Sequence, residues 1–161
     1  MDVRDNFLCD DDFNDLQKYI ISDQFPLFPQ SYITGDRELD KIENVNFTHT
    51  LYRDHAPVSN YFSYVYEKLF SKLDIKAILY AKVNCYPRND RLIEHDFHTD
   101  YPYSHKGAIL FLNTCDGYTT VIDEKVESIS NRLLLFDPGE NHSSSSCTDQ
   151  KCRWNIIINY F

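Results

Sequence analysis

The sequence predicts an α+β protein in which N-terminal helices pack on the outside of a double-stranded β-helix, also called a jelly roll. Two patterns support this prediction: helical periodicity is confined to the first half of the chain, and short strand-like runs fill the second half. With 161 residues, of which 42% are hydrophobic and 15% aromatic, the chain can bury one core. We therefore expect a single domain over residues 1–161, with helical support and loop over 1–75 and the strand core with the site over 76–161.

Two segments near the N-terminus carry apolar residues at helical spacing. Asp10 precedes the first segment, which predicts a helix over about residues 11–22 behind an aspartate N-cap. Ser59 precedes the second segment in the same way. Between them, we expect an irregular covering loop over residues 26–46 and a short edge strand over 47–52. Since each helix has only one apolar face, both should lie on the outside of a sheet.

Beyond residue 76 the apolar period changes to two, which indicates strands. Polar side chains from Tyr80 to Tyr86 alternate with small apolar ones. A strand that packs its apolar face on helices would turn Lys82, Asn84 and Tyr86 toward a cavity. Further strand-like runs, separated by turn residues, follow at residues 92–99, 107–112, 118–122, 125–129, 132–136 and 153–161.

The motif that organises the chain is His98 and Asp100, read together with His142. Residues two apart on an extended strand point to the same side, so His98 and Asp100 can present an imidazole and a carboxylate to one point. With His142 they make two histidines and one carboxylate, the facial ligand set of non-haem iron(II), which leaves coordination positions open. His95 is a competing ligand, but its three-residue step from His98 places it on the opposite face. We call His98, Asp100 and His142 the triad.

The last strand-like run begins with Arg153. Its alternation places Arg153, Asn155, Ile157 and Asn159 on one face and only apolar or aromatic residues on the other. Because the apolar face should pack on the helices, the Arg153 face should look into the same cavity as the polar face of the first long strand.

The triad and Arg153, which follows His142 by eleven positions, resemble the motif of the iron(II)- and 2-oxoglutarate-dependent oxygenases. More narrowly, the sequence resembles the prolyl-4-hydroxylase-like branch of that family. One departure is the turn at Asp116-Gly117, where the usual pattern has paired glycines. The likeness covers most of the chain and also includes residues 6–8, Phe25-Pro26, Tyr86-Pro87, Leu112-Asn113, 117–119 and 131–136.

The resemblance implies a role for each candidate site residue. The triad would hold Fe(II), and Arg153 would bind the distal carboxylate of 2-oxoglutarate through a guanidinium fork. Tyr86 and Asn84, which should share the cavity, are further candidates for hydrogen bonds to that cosubstrate. The implied enzyme is a dioxygenase that consumes O2, with ascorbate as a reductant, and releases succinate and CO2. It would hydroxylate a C–H bond of a peptidyl proline or another protein side chain.

Charge and cysteine content limit the partners and the compartment. A formal net charge of −9 disfavours nucleic acids and anionic membranes. No run approaches the ~18 apolar residues of a membrane span, and the N-terminus lacks the apolar core of a signal peptide. Five cysteines without a CxxC pair suit a reducing compartment. We expect a cytoplasmic protein without a membrane partner, and the sequence leaves its oligomeric state open.

Other interpretations of the same residues remain open at this point. A cupin-type metalloprotein could hold another divalent metal at the triad without needing Arg153 for a dicarboxylate. A noncatalytic binding module could keep the fold, although the intact triad argues against it. The histidines could also be buried, hydrogen-bonded core residues with Asp100 as their partner.

Overall fold

Two antiparallel sheets and two helices make up the part of the chain that the computed structural model describes, residues 1–30 and 45–161. The helices are α1 (Asp10–Ile20) and α2 (Phe62–Lys68), and a 3-10 turn follows at Phe70–Lys72. The strands are β1 (Asp2–Arg4), β2 (Phe28–Gln30), β3 (Asn46–Arg53), β4 (Ala56–Pro57), β5 (Ile78–Pro87), β6 (Lys106–Phe111), β7 (Tyr118–Val121), β8 (Glu124–Glu127), β9 (Leu133–Phe136), β10 (His142–Ser144) and β11 (Cys152–Tyr160).

The strand order creates a large and a small sheet. The large sheet has the order β1-β9-β6-β11-β5-β3-β2, with β4 paired to β3, and the small sheet has the order β10-β7-β8. At the centre of the large sheet, β11 lies between β5 and β6. In the β5–β11 pairing, Arg153 lies opposite Tyr86 and Asn155 opposite Asn84. The polar faces of these two strands therefore form one continuous surface, as the alternation in the sequence predicts.

The helices lie against the outer, apolar face of the large sheet. The main core joins Leu16 and Ile20 of α1 to Val83 of β5 and Ile156 of β11, all at most 1% exposed. Burying one leucine or isoleucine side chain stabilises a protein by about 2 kcal/mol. No side chain caps the N-terminus of α1, but an ion pair between Asp12 and Lys68 of α2 at 2.8 Å adds to this packing.

The helix ends differ slightly from the prediction. The helix α1 begins at Asp10, so Asp10 lies in its first turn, and Cys9 takes the N-cap position without a side-chain cap bond. An aspartate there still interacts favourably with the positive end of the helix dipole. Ser59 is not the N-cap of α2 as predicted, because Tyr61 takes that position without a side-chain cap bond; Ser59 Oγ instead accepts the backbone N–H of Tyr61 at 3.0 Å, in the turn before the helix. No helix of the described residues is long and apolar enough to cross a bilayer.

The structure adds strands to the first 75 residues, where mainly helices and loop are expected. Strands β1, β2 and β4 have two or three residues each, too few to produce a readable alternation. The predicted edge strand over 47–52 forms as β3, but it is an interior strand because β2 and β5 flank it. The expected irregular loop over 26–46 contains β2, and its residues 31–44 lie outside the described part of the chain.

The strand predicted over residues 92–99 does not form. This segment pairs only through single bridges, Glu94 with Ser145 and His98 with His142. Its alternation is real, but Phe97 is 55% exposed, so the segment lacks the buried face that would hold a regular strand on a sheet. The segment instead runs along the rim of the small sheet and carries the first two metal-ligand candidates.

Candidate metal centre

The structure brings the three side chains of the triad together at one point between the sheets. One ligand atom from each of His98, Asp100 and His142 lies within 4.8 Å of the other two. The Oδ1 atom of Asp100 lies 3.6 Å from Nε2 of His98 and 3.7 Å from Nε2 of His142. The exposed fraction of the side chain falls from 30% at His98 to 5% at His142, so the cluster opens to solvent on the His98 side.

Backbone hydrogen bonds position the triad although its members are far apart in sequence. His98 and His142 form an isolated antiparallel bridge, with both N–H to O distances at 2.9 Å. The N–H of Asp100 donates to the carbonyl of Pro138 at 2.9 Å, which extends the same pairing. His98 and Asp100, two positions apart, therefore lie in an extended segment, where their side chains can point to the same side as predicted.

The outer nitrogen of each imidazole is held by a backbone carbonyl. His98 Nδ1 lies 3.3 Å from the carbonyl oxygen of Asp96, and His142 Nδ1 lies 3.0 Å from that of Glu140. A nitrogen that donates to a carbonyl carries the proton, which leaves Nε2 of each ring with a free lone pair beside Asp100. Two neutral imidazoles and one carboxylate held in this way suit a divalent transition metal such as iron(II).

Asn159 of β11 fixes the carboxylate. Its Nδ2 donates to Asp100 Oδ2 at 2.7 Å, so Oδ1 is the oxygen left facing the two histidines. Burial acts to raise the pKa of Asp100, but the hydrogen bond from Asn159 and the two nearby imidazoles outweigh burial and lower the pKa. Asp100 is therefore a carboxylate at neutral pH and is ready to bind a cation.

Replacing Asn159 with alanine should weaken ferrous iron binding by about tenfold, because it frees Asp100 from its orienting donor. Asn155→Ala is the matched control, since Asn155 lies on the same face of β11 and bonds Asn84 instead. Anaerobic iron titration measures both affinities, and melting temperatures show that the variants are folded. Equal affinity in the two variants would contradict the orienting role.

A cavity of about 280 Å³ opens beside the triad. The predicted inward face of β5 forms one part of its wall, with Tyr80, Lys82, Asn84 and Tyr86. The face of β11 adjoins it, and the small sheet closes the opposite side. The further lining residues include Asn46, Tyr101, Ile109, Thr119, Ser143, Ser144, Asn155, Ile157 and Asn159.

Arg153 lies behind the cavity wall, at the end of the polar face away from Asn159. Its side chain is fully buried, and its two terminal nitrogens donate to the Ser145 carbonyl at 3.1 Å and to Thr119 Oγ1 at 2.8 Å. Within residues 1–30 and 45–161 no carboxylate pairs with it, and its Nε has no hydrogen-bond partner. A buried guanidinium without a counter-charge is costly, so this end of the cavity fits an anionic ligand.

Tyr86 stands between Arg153 and the cavity. Its ring lies 5.4 Å from the guanidinium carbon, and the Ser144 hydroxyl acts on the hydroxyl of Tyr86. Burial raises the pKa of Tyr86, so the hydroxyl keeps its proton and can donate to a carboxylate. Asn84 also lines the cavity, but its Nδ2 already donates to Asn155 Oδ1 at 2.9 Å. The hydroxyls of Tyr86 and Thr119 are thus the groups that a ligand carboxylate would meet in front of Arg153.

Comparison with solved structures identifies the fold. A prolyl-4-hydroxylase from Pseudomonas putida superposes with a TM-score of 0.64 and 16% identity, over 99% of this chain and 91% of that one. A prolyl hydroxylase from Trichoplax adhaerens, in complex with a hypoxia inducible factor oxygen degradation domain peptide fragment, superposes with a TM-score of 0.71 and 17% identity. That match covers 99% of this chain and 82% of the other. A 2OG-Fe(II) oxygenase family oxidoreductase from Burkholderia pseudomallei has a TM-score of 0.54 and 10% identity, over 71% of this chain and 68% of the other. No protein-family model and no curated protein matches the sequence.

The chain has a prolyl-hydroxylase fold. The predicted jelly roll with N-terminal helices is confirmed, and so is the resemblance to the prolyl-4-hydroxylase-like branch at the level of structure. Sequence identities of 10–17% show a shared fold and do not show a shared reaction. The reaction therefore follows only from the residues of this site.

Within the prolyl-hydroxylase fold, sequence reasoning missed some side chains that serve the site. Asn159 was placed on the cavity face, yet nothing in a single sequence shows that it reaches Asp100, 59 positions away. Thr119 and Ser144 lie on the small sheet, and their spacing carries no signal until β7 and β10 pair. A search for polar residues between the two histidines and immediately after the second histidine could have found them.

His95, the competing ligand, is not part of the described metal cluster. Its ring stacks on Tyr86 at 5.5 Å, and its Nδ1 lies 2.7 Å from Ser144 Oγ. Burial, with help from the charges of Arg153 and His98, lowers the pKa of His95 to about 4. His95 is therefore a buried neutral histidine that packs against the wall of the cavity.

The depressed pKa of His95 makes the metal-free protein less stable in acid. The unfolded chain binds a proton at His95 near pH 6.5, whereas the folded chain binds it only near 4, so stability falls as the pH drops between these values. His95 alone should account for roughly 2.5 kcal/mol of unfolding free energy lost between about pH 7 and pH 4.5. Urea unfolding of the wild type and of His95→Gln, with a chelator present at both pH values, measures this loss of unfolding free energy. An equal loss in both proteins would contradict this assignment.

Proposed function

We propose that the protein is an iron(II)- and 2-oxoglutarate-dependent dioxygenase that hydroxylates a C–H bond of a peptide or protein side chain, such as a peptidyl proline. One observation carries the proposal. The triad converges beside a cavity, and behind the far wall of that cavity lies a fully buried guanidinium with no carboxylate partner among the described residues. A metal at one end and a cation at the other is what a metal-chelating keto-diacid requires.

The residues present fit both groups. His98, Asp100 and His142 would hold the metal, with Asn159 and the carbonyls of Asp96 and Glu140 keeping the donor atoms oriented. When bound, iron and 2-oxoglutarate supply the oxidising chemistry with O2, and succinate and CO2 leave as the substrate is hydroxylated. The chain itself supplies geometry, charge and shelter from water.

The far end of the cavity would hold the distal carboxylate of 2-oxoglutarate. The hydroxyls of Tyr86 and Thr119 donate hydrogen bonds there, and Arg153 behind them contributes the positive charge. Because Arg153 is 0% exposed, water cannot screen that charge as it would on the surface. The carboxylate is therefore bound more tightly than by an exposed arginine.

A peptide or protein substrate fits the surroundings of the triad. The cluster is most open on the His98 side, where Phe97 is 55% exposed. Tyr101 lines the cavity and stacks on Tyr103, which is 45% exposed. Exposed aromatic side chains at a cavity mouth favour binding of a polypeptide.

All five cysteines are free thiols, which supports a proposed cytoplasmic location.

Anaerobic addition of iron(II) and 2-oxoglutarate should produce a weak visible charge-transfer band. Admitting oxygen, with ascorbate as reductant, should then release succinate. Absence of both signals would refute the proposal, and iron binding without either would favour the cupin-type alternative. Once succinate release is seen, mass spectrometry of lysate peptides for a single added oxygen atom identifies the substrate.

A further inference from the structure

Lys82 is a second cation in the cavity, at the metal end. It lies on the lining face of β5 between Tyr80 and Asn84 and is half-buried. It lines the same cavity as the triad, and its charge acts on both Asp100 and His98. Tyr86, the residue in front of Arg153, lies four positions further along the strand, a separation of ~13 Å. The two cations therefore serve opposite ends of the cavity.

No described residue holds the Lys82 ammonium. It makes neither a hydrogen bond nor an ion pair within residues 1–30 and 45–161, and its nearest aromatic ring, Tyr80, lies 5.9 Å away. Several lysines on the surface do have carboxylate partners. These pairs are Lys68 with Asp12 at 2.8 Å, Lys125 with Glu94 at 2.7 Å, and Lys106 with Asp74 at 3.6 Å.

The charge balance of the proposed complex leaves Lys82 uncompensated. Asp100 is the acid whose charge acts on it, but that carboxylate gives one oxygen to Asn159 and turns the other to the metal position. A ferrous ion, Asp100, Arg153, Lys82 and a dianionic cosubstrate together retain one positive charge. Burying that charge without a partner is unfavourable. The missing component of the assembled site is therefore an anion.

Unpaired acceptors in the same cavity point to a substrate that carries N–H groups. Asn46, Asn84 and Asn159 line the cavity, are at most 3% exposed, and each leaves Oδ1 without a hydrogen-bond partner. The two carboxylates of 2-oxoglutarate have no hydrogens to donate to them. A prolyl residue has no N–H of its own, although its neighbours in a peptide do. An acidic residue offers both a carboxylate for Lys82 and a backbone N–H for an amide oxygen.

We infer that Lys82 is a specificity-determining residue that pairs with a carboxylate of the substrate, so the substrate class is an acidic peptide side chain rather than a prolyl ring. This inference rests on the proposed function, because it assumes metal and 2-oxoglutarate in the cavity. Lys82 acts on substrate choice, and Arg153 acts on the cosubstrate.

The test measures binding to the zinc-loaded protein with saturating 2-oxoglutarate, by NMR titration. The probes are the N-acetyl N-methylamides of aspartate, asparagine and proline, of which the first two differ in charge but hardly in shape. The aspartate probe should bind about tenfold more tightly than the other two. Lys82→Met should remove this preference and Lys82→Arg should keep it. Lys106→Met, on β6 outside the cavity, is the control.

Three results would overturn the inference while leaving the proposed function intact. The first is equal binding, or no binding, of the aspartate and asparagine probes by the wild type. The second is a preference that survives in Lys82→Met. The third is a 2-oxoglutarate affinity that falls in Lys82→Met by more than about tenfold with probe binding unchanged, since Lys82 would then be a cosubstrate cation. Failure of the wild type to bind zinc or 2-oxoglutarate would instead remove the proposed function.

Discussion

Alanine in place of His98, Asp100 or His142 should reduce ferrous iron affinity by at least about a hundredfold. Residues that only orient a metal ligand typically contribute ten- to a hundredfold, so loss of a ligand atom has a larger effect. The fold should survive, because the core joins α1 to β5 and β11 and does not include the triad. Anaerobic iron titration and circular dichroism measure the two properties separately.

Asp96→Ala provides the control for this set. Asp96 is an exposed carboxylate two residues before His98, and only its backbone carbonyl contacts the His98 ring. The variant therefore removes a nearby acid without removing a ligand, and its iron affinity should stay within about twofold of the wild type. If Asp96→Ala lost iron as strongly as Asp100→Ala, general negative charge rather than the triad would bind the metal.

The two long strands show which parts of the fold are readable from the sequence. Strands β5 and β11 have ten and nine residues, and their period-two alternation predicts both their bounds and their cavity-facing side. The helix α1 is equally predictable, because its apolar residues at helical spacing, Phe13, Leu16 and Ile20, are the ones that the fold buries. Such elements carry their burial pattern within one segment, so a single sequence is sufficient.

The parts that were not readable depend on contacts between distant segments. Strand β1 has three exposed residues, and it forms because its backbone pairs with β9. The position of Arg153 behind Tyr86 depends in the same way on the register between β11 and β5. Alternation indicates that Arg153 faces inward, but only packing decides whether its guanidinium enters the cavity or stays one layer behind the wall.

The position of Arg153 determines what its replacement should do. Its guanidinium donates to Ser145 and Thr119, and its Nε is buried without a partner. Burial lowers the pKa of Arg153, which is the expected effect of holding a charge away from water without a carboxylate. The ligand-free protein therefore carries an unfavourable buried charge, and a bound dianion would relieve it.

Arg153→Met should raise the dissociation constant for 2-oxoglutarate by about thirtyfold, because it removes the charge behind the two hydroxyls, an attraction of roughly 2 kcal/mol. Arg153→Lys keeps the charge but loses the fork, so its affinity should lie between those of the wild type and the methionine variant. Anaerobic titration of the charge-transfer band at fixed iron(II) measures all three constants.

The unfolding free energy distinguishes a role of Arg153 in binding from a role in the fold. If Arg153 served only the fold, Arg153→Met would lose stability and cosubstrate affinity together. We expect instead that the metal-free methionine variant keeps its unfolding free energy within about 1 kcal/mol of the wild type, since lost hydrogen bonds are offset by removal of the buried charge. At equal concentration, 2-oxoglutarate added with metal should then raise the melting temperature of the wild type more than that of the variant. A methionine variant that binds 2-oxoglutarate as tightly as the wild type would show that Tyr86 and Thr119 hold the carboxylate without the cation behind them.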